Sequence, residues 1–237
     1  MNIQPGDPIG SAIHDYVASK KPADIIVSSD ICEDDIIPVE ILFRSYEDMP
    51  ELEKVALERC KGKVLDVGAG TGIHSKWLMD NDHKVKAIDI SKGAVTFMSK
   101  CGIDAEQVSF LNFKGEKFDT ILMMMNGIGV AGKLSTLERT LKHAKSLLNP
   151  GGRILCDSSD IKYLYEDEDG SLWIDLNSEY YGNFRFQMKY KKEKSAWFDW
   201  LYVDFDNLFQ TAAKAGLKAH KIHDQEDHYL AELFTAE

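Results

Sequence analysis

Asp66 stands two residues before three alternating glycines, Gly68, Gly70 and Gly72, in the run VLDVGAGTG. A second acid, Asp89, follows the first glycine by about 20 residues, the interval at which nucleotide folds place a ribose-binding carboxylate. Glycines let a backbone turn sharply and approach a ligand without a Cβ in the way. A carboxylate can accept hydrogen bonds from two neighbouring hydroxyls. Together these types and spacings suit a ribose-bearing ligand approached by backbone between two acids.

The elements needed to hold such a seat are legible around it. Val64, Leu65 and Val67 are apolar and mostly β-branched, as in a buried strand of an open α/β sheet. Residues His74 to Asp80 carry Trp77 and Leu78 at helical spacing. Strand, glycine bend and helix put a ligand at the carboxyl end of the strand. A dinucleotide-binding turn wants glycines at its first, third and sixth positions. Here the sixth is Ile73 and the third glycine comes one residue early, at Gly72, which weighs against a nicotinamide or flavin oxidoreductase.

Further segments follow in order. Val85 to Asp89 reads as a second strand ending in an acid, with Ser91 the better helix cap. Phe118 to Met125 reads as a fourth strand running into Asn126-Gly127-Ile128-Gly129. Asn149-Pro150-Gly151-Gly152-Arg153-Ile154-Leu155 reads as a helix stop, a turn and a fifth strand. Near the end, Leu217–His223 and His228–Phe234 read as two strands joined by a short polar turn.

This series resembles the class I S-adenosylmethionine (SAM) dependent methyltransferases: an acid before a G-x-G-x-G loop, a second acid after strand two, an FD-x-I strand and a P-G-G turn before strand five. The resemblance covers residues 50 to 157 by motif and 204 to 235 by layout. It implies an α/β fold, a seven-stranded Rossmann-like, mostly parallel sheet with a C-terminal antiparallel hairpin. It implies SAM as cofactor and S-adenosylhomocysteine as product. By the same resemblance Asp66 meets the methionine end of SAM, and the bend Gly68, Ala69, Gly70, Thr71 and Gly72 approaches through its backbone. Asp89 takes the ribose with Ile90 beside the adenine, and Met125, Asn126 and Gly127 lie near the methionyl part. The third-strand segment, with Ser109 and Phe110, lacks the family's usual Asp, leaving Ser109, Asn112 or a backbone carbonyl to accept the adenine amino group. Aromatic faces stabilise cations, so Phe43 or Tyr46 is a candidate neighbour of the sulfonium.

Catalytic residues are less defined. An oxygen acceptor calls for a general base and an amine acceptor must be deprotonated. Asp157 and Asp160 follow strand five, His74 opens the first helix after the bend, and Tyr163 lies a little beyond. These four are the candidates, with none singled out.

Composition bounds the rest. The chain has 237 residues, 44% of them apolar, and a formal net charge of −11. That supports one α/β domain with a core. It argues against a nucleic-acid substrate, which calls for a basic patch. The adenine-type [DNS]-P-P-[YFW] signature is also missing, so a small-molecule acceptor is expected. The four cysteines are scattered without metal-ligand spacing, as in a reduced cytoplasmic protein, and no metal is expected. No apolar run is long enough for a bilayer and no signal peptide is apparent. Residues 1–49 are expected to form an N-terminal lid and 50–237 a SAM-binding domain. An aromatic-rich β insertion at about 158–203 is expected to form an antiparallel extension over the mouth. Two rivals remain open: an aminopropyltransferase using decarboxylated SAM, and a non-catalytic SAM-binding or interaction module. Oligomeric state is not readable.

Overall fold

Alternation of buried side chains along the strands sets the architecture. The structure is a computed structural model that describes residues 6–18, 22–167 and 179–235. In chain order, α1 (Pro8–Val17) opens on Asp7, whose carboxylate accepts the Gly10 N–H at 2.8 Å. The strands β1 (Ile25–Ser29) and β2 (Asp35–Ile37) form an antiparallel hairpin. Next come α2 (Glu51–Arg59), β3 (Lys63–Val67), α3 (Ile73–Asp80), β4 (Lys84–Asp89), α4 (Lys92–Lys100) and β5 (Ala105–Gln107). Then follow β6 (Phe118–Met123), α5 (Leu134–Ser146), β7 (Leu148–Ser159), β8 (Asn183–Tyr190), β9 (Glu193–Lys194) and β10 (Phe198–Leu201). The chain ends with α6 (Phe205–Lys214), β11 (Lys218–Gln225) and β12 (His228–Phe234).

Seven strands form the central sheet in the order β11-β12-β7-β6-β3-β4-β5. β7, β6, β3, β4 and β5 are parallel, and β12 pairs antiparallel with both β7 and β11. Side chains alternate across a strand. Leu65, Ile121 and Ile154 therefore face one core with Leu137, Leu141 and Leu208, while Val64, Leu122 and Leu155 face the other with Leu52, Leu57 and Leu78. Both faces are covered, which is why the parallel strands read as nearly continuous apolar runs.

The second sheet, in the order β10-β8-β1-β2 with β9 on β8, joins two segments far apart in sequence. Ile26 pairs with Lys189 and Ser29 with Phe186, so the amino-terminal hairpin and the insertion build one antiparallel sheet. The sequence treated them as separate pieces, because period-two patterning identifies strands but not their partners. Trp173, one of the aromatics of the insertion, lies outside the described residues.

Some element bounds differ from the sequence expectation. The fourth strand stops at Met123, because Met125 and Asn126 take left-handed conformations, φ 64° and 55°. The third strand keeps only Ala105–Gln107 and passes into a 3₁₀ turn at Phe110–Asn112. The sequence places Pro50 at the first position of a helix with Asp48 near enough to cap it; in the structure Pro50 occupies the cap position of α2, and Asp48 accepts the Ser45 hydroxyl at 2.8 Å.

Candidate active site

β3, β4, β6 and β7 end on one edge of the central sheet, and the loops they feed face a common mouth. The bend after β3 is held by its own amides. Gly68 and Ala69 donate to the Ile88 carbonyl at 2.9 and 3.2 Å, and Gly72 donates to Ala69 O at 2.7 Å. Gly68 and Gly70 have φ of 72° and 58°, and a Cβ on either would meet nothing within 4 Å. Their exposed faces form an open cradle. Gly72 differs: its Cβ would lie 2.6 Å from Ile103 Cδ1. It opens α3 in the left-handed conformation and packs against that helix's neighbours.

Two acids flank the cradle. Asp66 is buried and accepts the Ser75 hydroxyl at 2.6 Å. Asp89 accepts the Gly70 N–H at 2.8 Å through Oδ2 and the Ser91 N–H at 2.7 Å through Oδ1. Burial pushes both carboxyls above the ordinary range, and for Asp89 the charges of Asp7 and Asp66 add to it. Two neighbouring desolvated carboxylates make this a place that favours a cation. SAM carries a sulfonium and an α-ammonium, so the open cradle and the paired acids fit it. Ile90 is exposed beside Asp89, and its carbonyl accepts from Gln107 at 3.1 Å. Phe110 is buried against His143, while Ser109 precedes it at the start of the 3₁₀ turn.

The amino-terminal segment is fastened to this side. The Thr71 hydroxyl donates to Leu42 O. Arg44 donates to Glu53 at 2.5 Å, and His74 Nε2 meets the other Glu53 oxygen at 2.7 Å. Burial opposes the Glu53 charge, but hydrogen bonds from His74 and Arg44 hold its carboxyl below the ordinary range. His74, a catalytic candidate from the sequence, is thus buried in a latch between α2, α3 and the segment before them. Phe43 stacks on Tyr16 at 4.3 Å between ring centres and meets Phe97 edge-on. Tyr46 stacks on Trp77 at 4.8 Å and donates to Glu58 at 2.8 Å. Both rings therefore already have aromatic partners within the chain.

The other half of the mouth lies over β6, β7 and β12. Asp157 is fully buried, and Oδ2 accepts the Asn126 N–H at 2.9 Å while Oδ1 accepts the Gly127 N–H at 3.0 Å. It fixes the left-handed corner at Met125 and Asn126. The Ser159 hydroxyl donates to Asn126 Oδ1 at 2.9 Å. His228 Nε2 reaches Asp157 Oδ2 at 2.8 Å. Asp160 accepts the Tyr181 hydroxyl at 2.7 Å, and Tyr180 donates to Asp204 at 2.5 Å. Tyr163 is exposed, and burial pushes the Tyr202 hydroxyl up to about 12. The second sheet is pressed onto this half: a Cβ at Gly129 would lie 2.2 Å from the Trp200 indole. Sequence reasoning missed His228. Its position opposite Ser159 is set by pairing between strands about 70 residues apart, |i−j| of 71 for the bond to Asp157.

A seven-stranded sheet in this order, with a glycine cradle and two acids at its carboxyl edge, defines a Rossmann-like methyltransferase. A family model described as a methyltransferase domain matches residues 64–152. A SAM-dependent methyltransferase from Bacteroides fragilis, crystallised with S-adenosyl-L-homocysteine, is 43% identical. That match covers 100% of this chain and 98% of that one, with a TM-score of 0.92. Two further solved structures share the fold at low identity. The sugar N-methyltransferase KedS8 from Streptoalloteichus is 16% identical, covering 89% of this chain and 98% of that one, with a TM-score of 0.58. The CcbJ methyltransferase from Streptomyces caelestis is 14% identical, covering 81% and 95%, with a TM-score of 0.62. No curated protein matches. The chain belongs to the class I SAM-dependent methyltransferases. Among the described residues no group of three or more His, Cys, Asp or Glu is placed to hold a metal ion, and no helix is long and apolar enough to cross a membrane.

Proposed function

We propose that this chain transfers the methyl group of SAM to an oxygen or nitrogen of a small-molecule acceptor in the cytoplasm. The observation that carries the cofactor half is the open face of Gly68 and Gly70 between Asp66 and Asp89. SAM supplies a methyl group already activated on a sulfonium, so no covalent enzyme intermediate is needed. Asp89 accepts ribose hydroxyls, Ala69 and the two glycines approach through backbone, and Asp66 meets the methionine end. Asn126 and Gly127, fixed by Asp157, border both donor and acceptor. The chain's task is then to hold the acceptor in line and exclude water, which supplies about 7–11 kcal/mol at best.

The small-molecule reading is supported by the net charge of −11 and by the second sheet over the acceptor half. The likeness in fold to a sugar N-methyltransferase is consistent with it. Residues 1–49 and the insertion then act together as one cover over a SAM-binding domain. Thermal shift with SAM, S-adenosylhomocysteine, decarboxylated SAM and NAD tests this reading. A ligand at 100 times its Kd adds about 2.7 kcal/mol of stability. Stabilisation by SAM and its product is expected, and stabilisation by NAD alone contradicts the proposal.

A further inference from the structure

We infer that His228, oriented by Asp157, is the general base that takes the acceptor's proton during methyl transfer. The inference rests on the methyltransferase reading and names a residue for its chemical step. His228 is the first residue of β12, the antiparallel strand, so it stands at the edge where β3, β6 and β7 end. It lies over the acceptor half of that edge, separated from the glycine cradle by β7 and β6.

The hydrogen bonds fix its tautomer. Asp157 accepts two backbone N–H groups and is therefore an acceptor toward its third partner as well. His228 Nε2 must carry the hydrogen of that 2.8 Å bond, leaving the lone pair of the neutral ring on Nδ1. Nδ1 makes no hydrogen bond to any described residue. The side chain is 38% exposed, against 0% for Asp157, so the ring reaches space that an acceptor can enter. Strand pairing and the adjoining turns place Ser159 and Asp160 from β7 and its end, Asp227 from the preceding turn and Gln225 across on β11 beside the pair. None of these is cationic. Asp157 is a positioning residue: it aims the imidazole and holds the Asn126–Gly127 corner against the same site.

The step balances. An acceptor ammonium or hydroxyl gives its proton to His228 Nδ1, which becomes imidazolium. The freed lone pair forms the new N–C or O–C bond while the S–CH₃ bond breaks. The electron pair of that bond stays on sulfur, giving the neutral thioether product.

Long-range ¹H–¹⁵N NMR of the full chain with S-adenosylhomocysteine bound reads the tautomer directly. Nε2–H with unprotonated Nδ1 in the neutral ring is expected, and the Nδ1–H form overturns the inference. The second measurement uses His228→Ala with radiolabelled SAM and a pool of low-molecular-mass cell metabolites as acceptor. Product formation should fall about 10²–10⁴-fold while calorimetric SAM affinity stays unchanged, and added imidazole should restore part of the rate. A rate within threefold of the parent, or a loss that imidazole does not rescue, overturns it. A parent protein that fails to bind SAM at all strikes the methyltransferase reading instead.

Discussion

Two histidine–carboxylate pairs sit at this mouth, and they differ in what surrounds them. His74 and Glu53 are both buried, with side-chain exposures of 6% and 7%, and Arg44 closes the second Glu53 oxygen. His228 keeps 38% of its side chain exposed over a fully buried Asp157. The bond lengths, 2.7 and 2.8 Å, are nearly the same. Bond geometry therefore does not separate a latch from a base; access and the second partner do. The first pair ties the amino-terminal segment to the cofactor half, and the second faces the acceptor half.

The largest effect that would break this comparison is on stability. Glu53→Gln leaves Arg44 and His74 buried without their counter-charge, and removal of one partner of a buried pair costs about 3–5 kcal/mol. Denaturant unfolding should show that loss, and a cost below about 1 kcal/mol, the worth of an exposed pair, would mean the latch is ornamental. The sign of the pH dependence follows from the depressed Glu53 carboxyl. Its contribution is present above the ordinary carboxylate range and is lost as pH falls through the folded value. Below the ordinary carboxylate range the stability of the parent should therefore fall more steeply with acid than that of the Gln variant, which lacks that component.

The glycines sharpen the contrast between seat and support. Gly72→Ala drives a Cβ into Ile103, 2.6 Å away, and should cost about 1–3 kcal/mol from overpacking alone. Gly70→Ala meets open space and pays only the left-handed conformation, about 1–2 kcal/mol, yet it places a methyl on the cradle. Calorimetry with SAM should show the greater loss of affinity for Gly70→Ala, and unfolding the greater loss of stability for Gly72→Ala. A reversed order would move the cradle.

Asp66→Asn gives a smaller and less intuitive effect. The folded-state carboxyl is raised by burial, so the folded state binds protons more readily than the unfolded one, and stability falls as pH rises through the folded value. At neutral pH the charge costs the ligand-free protein stability. The Asn variant keeps an acceptor for Ser75, so it should melt at higher temperature than the parent. It should also bind SAM about tenfold more weakly, about 1.4 kcal/mol. A variant that melts lower, or binds equally well, would show that this acid does not serve the cofactor.

What the sequence made legible follows the same division. The cofactor half is built from contiguous short runs, so Asp66, the glycine bend and Asp89 can be read directly, as can the alternating strands and helices. The acceptor half depends on pairing across long separations. Asp157 reads as an acid after strand five, whereas β7 runs through it to Ser159, and its bonds to Asn126 and Gly127 span about 30 residues, |i−j| of 31 and 30. His228 became visible only once β12 was laid beside β7. The union of the amino-terminal hairpin with the insertion was hidden for the same reason: each strand has its pattern, but Ile26 and Lys189 carry no mark of one another.

The ribose acid offers the most direct test of the cofactor seat. Calorimetric titration of SAM into the parent and into Asp89→Ala compares a carboxylate that accepts hydroxyls with none. Hydrogen bonds to a charged group are worth about 1.5–3 kcal/mol, so affinity should fall about tenfold to a hundredfold with the fold intact by circular dichroism. Equal affinity in the two proteins would contradict the placement of the adenosyl group between Asp89 and the glycine cradle.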